Sequence, residues 1–483
     1  MNSFAKYFRT KPVNEPLGEK LPKGLKRVLS VPDLIALGLG AIIGTGIFVL
    51  SGVAASRYAG PGVIISFIIA GATSALAALV YAELAAMFPA AGSAYTYTYA
   101  SLGEIVAWLI GWNLTLEYTV AMAAVALGWS SYLLDLLKPL GVRLPQAITA
   151  SPFAGGFINL PPLLIIALIA YLVAAGTKES SKVNKIVVAL KISAIILFLA
   201  LGLSRFDPAN WRPFLPFGTA GIVRGAGIIF FAYIGFDAVA TAAEEVRRPQ
   251  RDLPLGILGA LAISTLLYLG VAATLTGMVK YTALDTPSPV ATALIMRGFP
   301  WAAAIVSVGA LAGLTSVLLV NCFAQSRVLF AMSRDGMLPE VFSKIHPELK
   351  TPVFSIIATA LVAAALSSLL PIHTIAELAN IGTLSAFATV SLGVIVLRYT
   401  KPDIPRPFKV PLMPLLPLLS FAASVYLMAN LPPLTLYRFA AWVAIGLIIY
   451  FSYSSRHSAV ARSELEAKGA LLPQPAAKRP PKS

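Results

Sequence analysis

Charge is scarce in this chain, and three ionisable residues interrupt otherwise apolar runs: Glu117 in Leu-Thr-Leu-Glu-Tyr-Thr, Lys191 in Val-Ala-Leu-Lys-Ile-Ser, and Asp237 in Ile-Gly-Phe-Asp-Ala-Val. An acid at membrane depth is costly and marks a functional position by default. Asp237 can also cap the short helix that follows it, and the two roles are compatible. Glu117 fits either a contact with a cationic substrate group or a salt bridge inside a helix bundle. Lys191 is either a working charge or a lysine whose ammonium snorkels to the interface.

Two glycine-rich breaks lie near these residues. Gly38 to Ser51 reads Gly-Leu-Gly-Ala-Ile-Ile-Gly-Thr-Gly-Ile-Phe-Val-Leu-Ser, and Gly227 to Thr241 carries Gly235 and Asp237 inside a second apolar run. Glycine costs a helix interior about 1 kcal/mol relative to alanine, so the first stretch unwinds near its middle. Broken backbone survives in lipid only beside protein or a water-filled cavity. The amides of Gly44, Thr45 and Gly46 then suit a carboxylate, and the carbonyls of Phe231, Ala232 and Ile234 suit an ammonium. A site with both ends fits an α-amino acid. Close helix packing is the competing use of the glycines. A nucleotide-binding glycine loop is excluded, because no strand and helix alternate around it. Phe231 reads as an aromatic gate or as ordinary core.

The elements that must position these residues follow from composition. Of 483 residues, 58% are hydrophobic and 12% charged, which describes a polytopic all-α membrane protein. The single cysteine, Cys322, excludes an intramolecular disulfide, and His346, His373 and His457 are too scattered to build a metal site. Apolar runs predict twelve spans near 33–57, 62–87, 104–134, 161–176, 184–204, 218–244, 254–278, 299–332, 352–370, 374–398, 411–430 and 435–454. The net charge of +16 resembles a nucleic-acid binder's, yet with the N-terminus inside about three-quarters of the basic residues fall on the cytoplasmic side. The charge is therefore a topology signal. It implies that both termini are cytoplasmic and excludes nucleic acid as a partner, and the plasma membrane is the expected location. The polar start predicts no cleavable signal peptide. The expected organisation is a cytoplasmic segment 1–30, a transport core 31–400, two peripheral helices in 401–455 and a disordered tail 456–483. Prolines from Pro402 to Pro417 read as a hinge-like connection to the last two spans. The broken spans, first and sixth, hold corresponding places in two halves of five helices, and an odd number inverts the second half.

At these residues the chain resembles the amino acid–polyamine–organocation superfamily, which shares the 5+5 inverted repeat of the leucine transporter. More narrowly, residues 230–250, Gly111-Trp112-Asn113-Leu114, Val183-Asn184-Lys185, and Ser333-Arg334-Asp335-Gly336 followed by Thr351-Pro352-Val353 resemble the cationic amino acid transporters. Twelve spans rather than the fourteen of human-type members point to a bacterial homologue. By that resemblance Ile43, Gly44, Thr45 and Gly46 hold the substrate carboxylate end, and Phe231, Ala232 and Ile234 hold its amine. Selectivity falls to Thr115, Glu117, Thr119, Asp237 and Asn321. Glu117 and Thr119 diverge by roughly 200° and do not both point squarely inward. Lys191 departs from the animal uniporters and is similar to the lysine of proton-coupled bacterial members, beside the first helix. A lysine held away from water can release a proton and bind one again.

The resulting expectation is a proton-coupled importer of cationic or small neutral L-amino acids working by alternating access, with no enzyme activity and no cofactor beyond the coupling proton. A proton-independent facilitator or exchanger and an amino acid receptor are the alternatives. Membrane lipid, a sterol or a small single-span membrane protein are further possible partners. Glu244, Glu245, Arg247, Arg248 and Arg251 read as an inner-gate ion-pair cluster or a solvated loop, and Glu83 as a partner for one of those loop cations.

Overall fold

The computed structural model describes residues 7–11, 29–89, 92–138, 141–142, 144–175, 180–243, 246–370 and 372–462. Within them the backbone is helical apart from loops and two isolated bridges, Leu29 with Val246 and Thr149 with Asn159. In chain order the helices are α1 (Val31–Ile42), α2 (residues 46–59), α3 (Val63–Met87), α4 (Ala94–Ser101), α5 (Glu104–Leu137), α6 (Leu160–Ala174), α7 (Ser180–Leu203) and α8 (Gly218–Ile229). There follow α9 (Ala238–Thr241), α10 (Pro249–Met278), α11 (Pro289–Met296), α12 (Pro300–Arg334), α13 (Val353–Leu369), α14 (Ile372–Thr400), α15 (Leu415–Ala429) and α16 (Pro433–Ile449). Eight helical stretches are long and apolar enough to cross a membrane, and α1, α6, α13 and α15 are shorter apolar helices. The chain is a multi-pass membrane protein.

The apolar runs match the observed helices closely except at the two expected interruptions. The first run splits between α1 and α2, and the sixth splits between α8 and α9. The two splits meet. A Cβ on Gly46 would lie 2.3 Å from Ala232 Cα, and one on Gly235 would lie 3.0 Å from the Ala41 carbonyl carbon. Gly235 also has φ of 114°, a conformation open to glycine at little cost. Any side chain at either position would drive the breaks apart.

Three packing features differ from the sequence expectation. Glu83, near the C-terminal end of α3 and fully buried, is held by cations other than those expected after the sixth run. It takes Arg398 at 2.5 Å, Arg406 at 3.5 Å and the amide of Val410 at 2.6 Å. The proline-rich connection carries internal order that the sequence did not announce. Its Arg406 guanidinium donates to the carbonyls of Leu397, Lys401, Pro402 and Ile404 at 2.8–3.0 Å, so the loop folds around a cation. Helix α4 was not expected. Its sequence, Ala-Tyr-Thr-Tyr-Thr-Tyr-Ala-Ser, has the alternation of a strand, but burial of all eight residues against neighbouring helices overrides local preference. Glu244, Glu245 and most of the expected tail lie outside the described residues.

Candidate functional site

The first break opens at Ile43, whose extended backbone (φ −78°, ψ 97°) ends α1. Helix restarts at once: the amides of Ile47 and Phe48 both donate to the Gly44 carbonyl. The first amides of a helix have no acceptor within it, so those of Gly44, Thr45 and Gly46 stand at a positive helix end. The Thr45 hydroxyl is buried without a partner. Neighbouring helices crowd the turn. A Cβ on Gly44 would come 2.9 Å from Val317 of α12, and one on Gly128 of α5 would come 3.0 Å from the Thr45 hydroxyl.

The second break follows a single 3-10 turn, Phe230–Tyr233, and passes through extended Ile234 (φ −60°, ψ 137°). The Phe231 carbonyl accepts from the Ile234 amide at 3.3 Å. The Ala232 carbonyl accepts from the Tyr268 hydroxyl at 2.8 Å. Phe231 itself is buried. Asp237 opens α9, and one of its oxygens accepts from the Tyr118 hydroxyl. Its other oxygen has no hydrogen-bond partner, although the amides of Gly235 and Ala238 lie near it.

Lys191 is completely buried and does not reach an interface. From α7 its ammonium donates to the carbonyls of Gly40 and Ile43, both at 2.9 Å, and to the Ser316 hydroxyl of α12 at 3.1 Å. Three N–H bonds meet three oxygens, which is the full capacity of a protonated lysine. The carbonyls belong to the C-terminal end of α1, where the helix dipole favours a cation. The stem lies against Gly313, where a Cβ would come 3.0 Å from Lys191 Cδ.

The remaining candidates are spread around these breaks. Asn321 is buried in α12 one turn beyond Val317. Glu117 is buried, with no hydrogen-bond partner on either carboxyl oxygen, and its Cβ faces Gly382 of α14. Thr119 is buried. Thr115 stands apart: its hydroxyl donates back to the Gly111 carbonyl at 2.9 Å. It shares a helix face with Trp112, which stacks on Trp442 of α16 at 4.2 Å. Sequence reasoning missed Tyr118, Tyr268 and Ser316. One signal was present, since a buried tyrosine hydroxyl needs a partner, but the sequence does not say which.

Apolar helices, two of them interrupted side by side where Gly46 meets Ala232 and Gly235 meets Ala41, belong to an integral membrane carrier rather than an enzyme. Residues 29–451 match the amino acid permease family, and the chain belongs to it. It is 47% identical over 453 residues to the methylthioribose transporter of Bacillus subtilis (strain 168), covering 93% of this chain and 98% of that one. It is 48% identical over 441 residues to the branched-chain amino acid permease BcaP of the same organism, covering 90% and 95%. It is also 40% identical over 390 residues to the vacuolar cationic amino acid transporter 4 of Arabidopsis thaliana, covering 79% of this chain and 65% of that one.

Proposed function

We propose that the protein imports an L-amino acid across the plasma membrane together with a proton, by alternating access. In this reading the helices form twelve spans, the first ten arranged as two inverted halves of five, with both termini cytoplasmic. The substrate carboxylate rests on the amides from Gly44 to Gly46, and its ammonium rests on carbonyls among Phe231, Ala232 and Ile234. Thr45 supplies a buried, unpartnered hydroxyl at the carboxylate end. The observation that carries the coupling is the Lys191 ammonium on the carbonyls of Gly40 and Ile43. Loss of the proton removes a charge-assisted donor from the end of α1, at the break that holds the substrate, so protonation and the position of α1 are linked.

Relatives named for branched-chain and for cationic amino acids support the substrate class. A second reading, a methylthioribose carrier, has support from the B. subtilis relative of that name. Methylthioribose has neither carboxylate nor ammonium, and the two opposed backbone ends favour a zwitterion. The test is uptake of labelled leucine, alanine, arginine and methylthioribose into proteoliposomes, with and without an inward proton gradient, for wild type and Lys191→Ala. Coupled transport predicts gradient-driven accumulation of an amino acid by wild type and exchange alone by the variant. Uptake indifferent to the gradient in both proteins identifies a facilitator.

A further inference from the structure

The segment between α5 and α6 carries the most exposed large apolar side chains among the described residues. Phe153 is 77% exposed and Phe157 81%. They do not hang from a loose loop. Two 3-10 turns, Gln146–Ile148 and Pro152–Ala154, fold the segment, and the amides of Phe157 and Ile158 both donate to the Ala147 carbonyl. A bridge joins Thr149 to Asn159. Asn159 is buried, its side-chain oxygen accepting from Ser130 of α5 and its carbonyl from Ser368 of α13, both at 3.3 Å. The other polar side chains also turn back on the segment: Gln146 donates to the Ala154 carbonyl and Thr149 to the Pro145 carbonyl, both at 3.1 Å, and Ser151 is buried. Polar groups are bonded inward and two phenyl rings stand outward.

Sequence and length say what covers those rings. No charged residue lies between Arg143 and Lys178, so the segment is as free of charge as the helix it leads into. That helix, α6, has 15 residues, a length of roughly 22 Å at about 1.5 Å per residue, against a hydrocarbon core of about 30 Å. It is too short to cross alone. Its Leu164, Leu168 and Tyr171 are exposed, as lipid-facing side chains are, and Phe157 precedes the helix by three residues. Backbone outside a helix survives beside lipid only where its polar groups already have partners. The hydrogen bonds within the segment supply them.

We propose that residues 146–158 form a cap that lies in the interfacial layer of the bilayer, with Phe153 and Phe157 inserted among the headgroups and upper acyl chains. Rings this exposed gain free energy by leaving water, and aromatic side chains collect at that depth. The partner is the lipid surface itself. The cap makes up the thickness that α6 lacks. Through Asn159 it also sets the depth of α5 and α13, both of which pack on α6.

Single-cysteine variants test the placement. Cys322→Ala removes the sole native thiol, and Phe153→Cys, Phe157→Cys and Glu348→Cys are then made one at a time. All three added cysteines replace exposed side chains, and thermal unfolding confirms that each variant folds like wild type. Each carries a nitroxide spin label in proteoliposomes. Its collision rates with oxygen, which concentrates in lipid, and with a nickel chelate, which stays in water, are compared. The oxygen-to-nickel ratio at 153 and 157 is expected to exceed that at 348 by about threefold or more. Ratios equal to that at 348 place the rings in water and overturn the proposal. Shielding of 153 and 157 from both reagents places them beneath a second protein chain, and that result overturns it too.

Discussion

Glu117 is a buried carboxyl with no hydrogen-bond partner on either oxygen, and its Cβ lies against Gly382 of α14. A buried carboxylate of this kind is costly until a cation or a proton reaches it. If its partner is the side chain of an arginine or lysine substrate, Glu117→Gln lowers arginine uptake by about tenfold or more and leaves leucine and alanine uptake within about threefold. Competitive uptake with the three labelled amino acids measures this, and an equal loss for all three rules out a selective role. At this scale the glycines were legible and the hydroxyls were not. Gly46 and Gly235 announce themselves because no other residue tolerates a carbonyl or a Cα so near. Tyr118 and Tyr268 look like ordinary aromatic core until Asp237, Ile42 and Ala232 are placed beside them.

Among the elements, the helices follow from apolar run length, and their ties to one another do not. Glu83 fastens the C-terminal end of α3 to the end of α14 through Arg398 and to the following loop through Arg406 and the Val410 amide. Removing one partner of a buried ion pair leaves the others uncompensated, at a cost of roughly 3–5 kcal/mol. Glu83→Ala is therefore expected to lower the thermal unfolding temperature of the detergent-solubilised protein markedly. A shift of a degree or less would mean that water replaces the carboxylate. The sequence marked Glu83 as a charge needing a partner and pointed to the wrong loop, because Arg247, Arg248 and Arg251 are as near in topology as Arg398 and Arg406. A similar gap hid the seam between α5 and α16. There the Trp108 and Trp112 indoles donate to the carbonyls of Gly446 and Trp442 at 2.8 and 2.9 Å, and a Cβ on Gly446 would sit 2.4 Å from the Trp112 ring.

For the molecule as a whole, segments from both ends of the described chain converge on one side of the bundle. Lys11 pairs with Asp335 at the end of α12 at 2.8 Å, and Tyr95 of α4 donates to the same carboxylate at 3.0 Å. The Phe8 carbonyl lies where a Cβ on Gly103 would be, 2.6 Å away. From the other end, the Ala459 amide donates to the Asp335 carbonyl, while Ser458 and Tyr450 donate to Glu104. If the protein works by the alternating access proposed above with both termini cytoplasmic, its cycle has to loosen this clasp to expose the site to the cytoplasm. Lys11→Asp and Asp335→Lys are each expected to speed labelling of buried Cys322, the sole cysteine, by a cytoplasmic thiol reagent several-fold, and the double variant to restore the wild-type rate. Equal labelling in all four proteins would show that the clasp does not control opening.

The sequence by itself determined that this chain is an all-helical membrane protein with two interrupted spans, and it raised the expectation of a carboxylate and an ammonium at the interruptions. Those conclusions depend on local properties: apolar run length against bilayer thickness, the helix cost of glycine, and the price of a charge in lipid. Only the tertiary structure decided that the breaks touch through Gly46 and Ala232, that Lys191 points inward onto the carbonyls of Gly40 and Ile43, and that a single hydroxyl from α10 spans both breaks. These partners are separated by tens to hundreds of residues, and in a uniformly apolar sequence no periodicity records which face of a helix meets which neighbour. Packing selects among the many pairings that the composition allows, and hydrogen-bond geometry fixes the one observed.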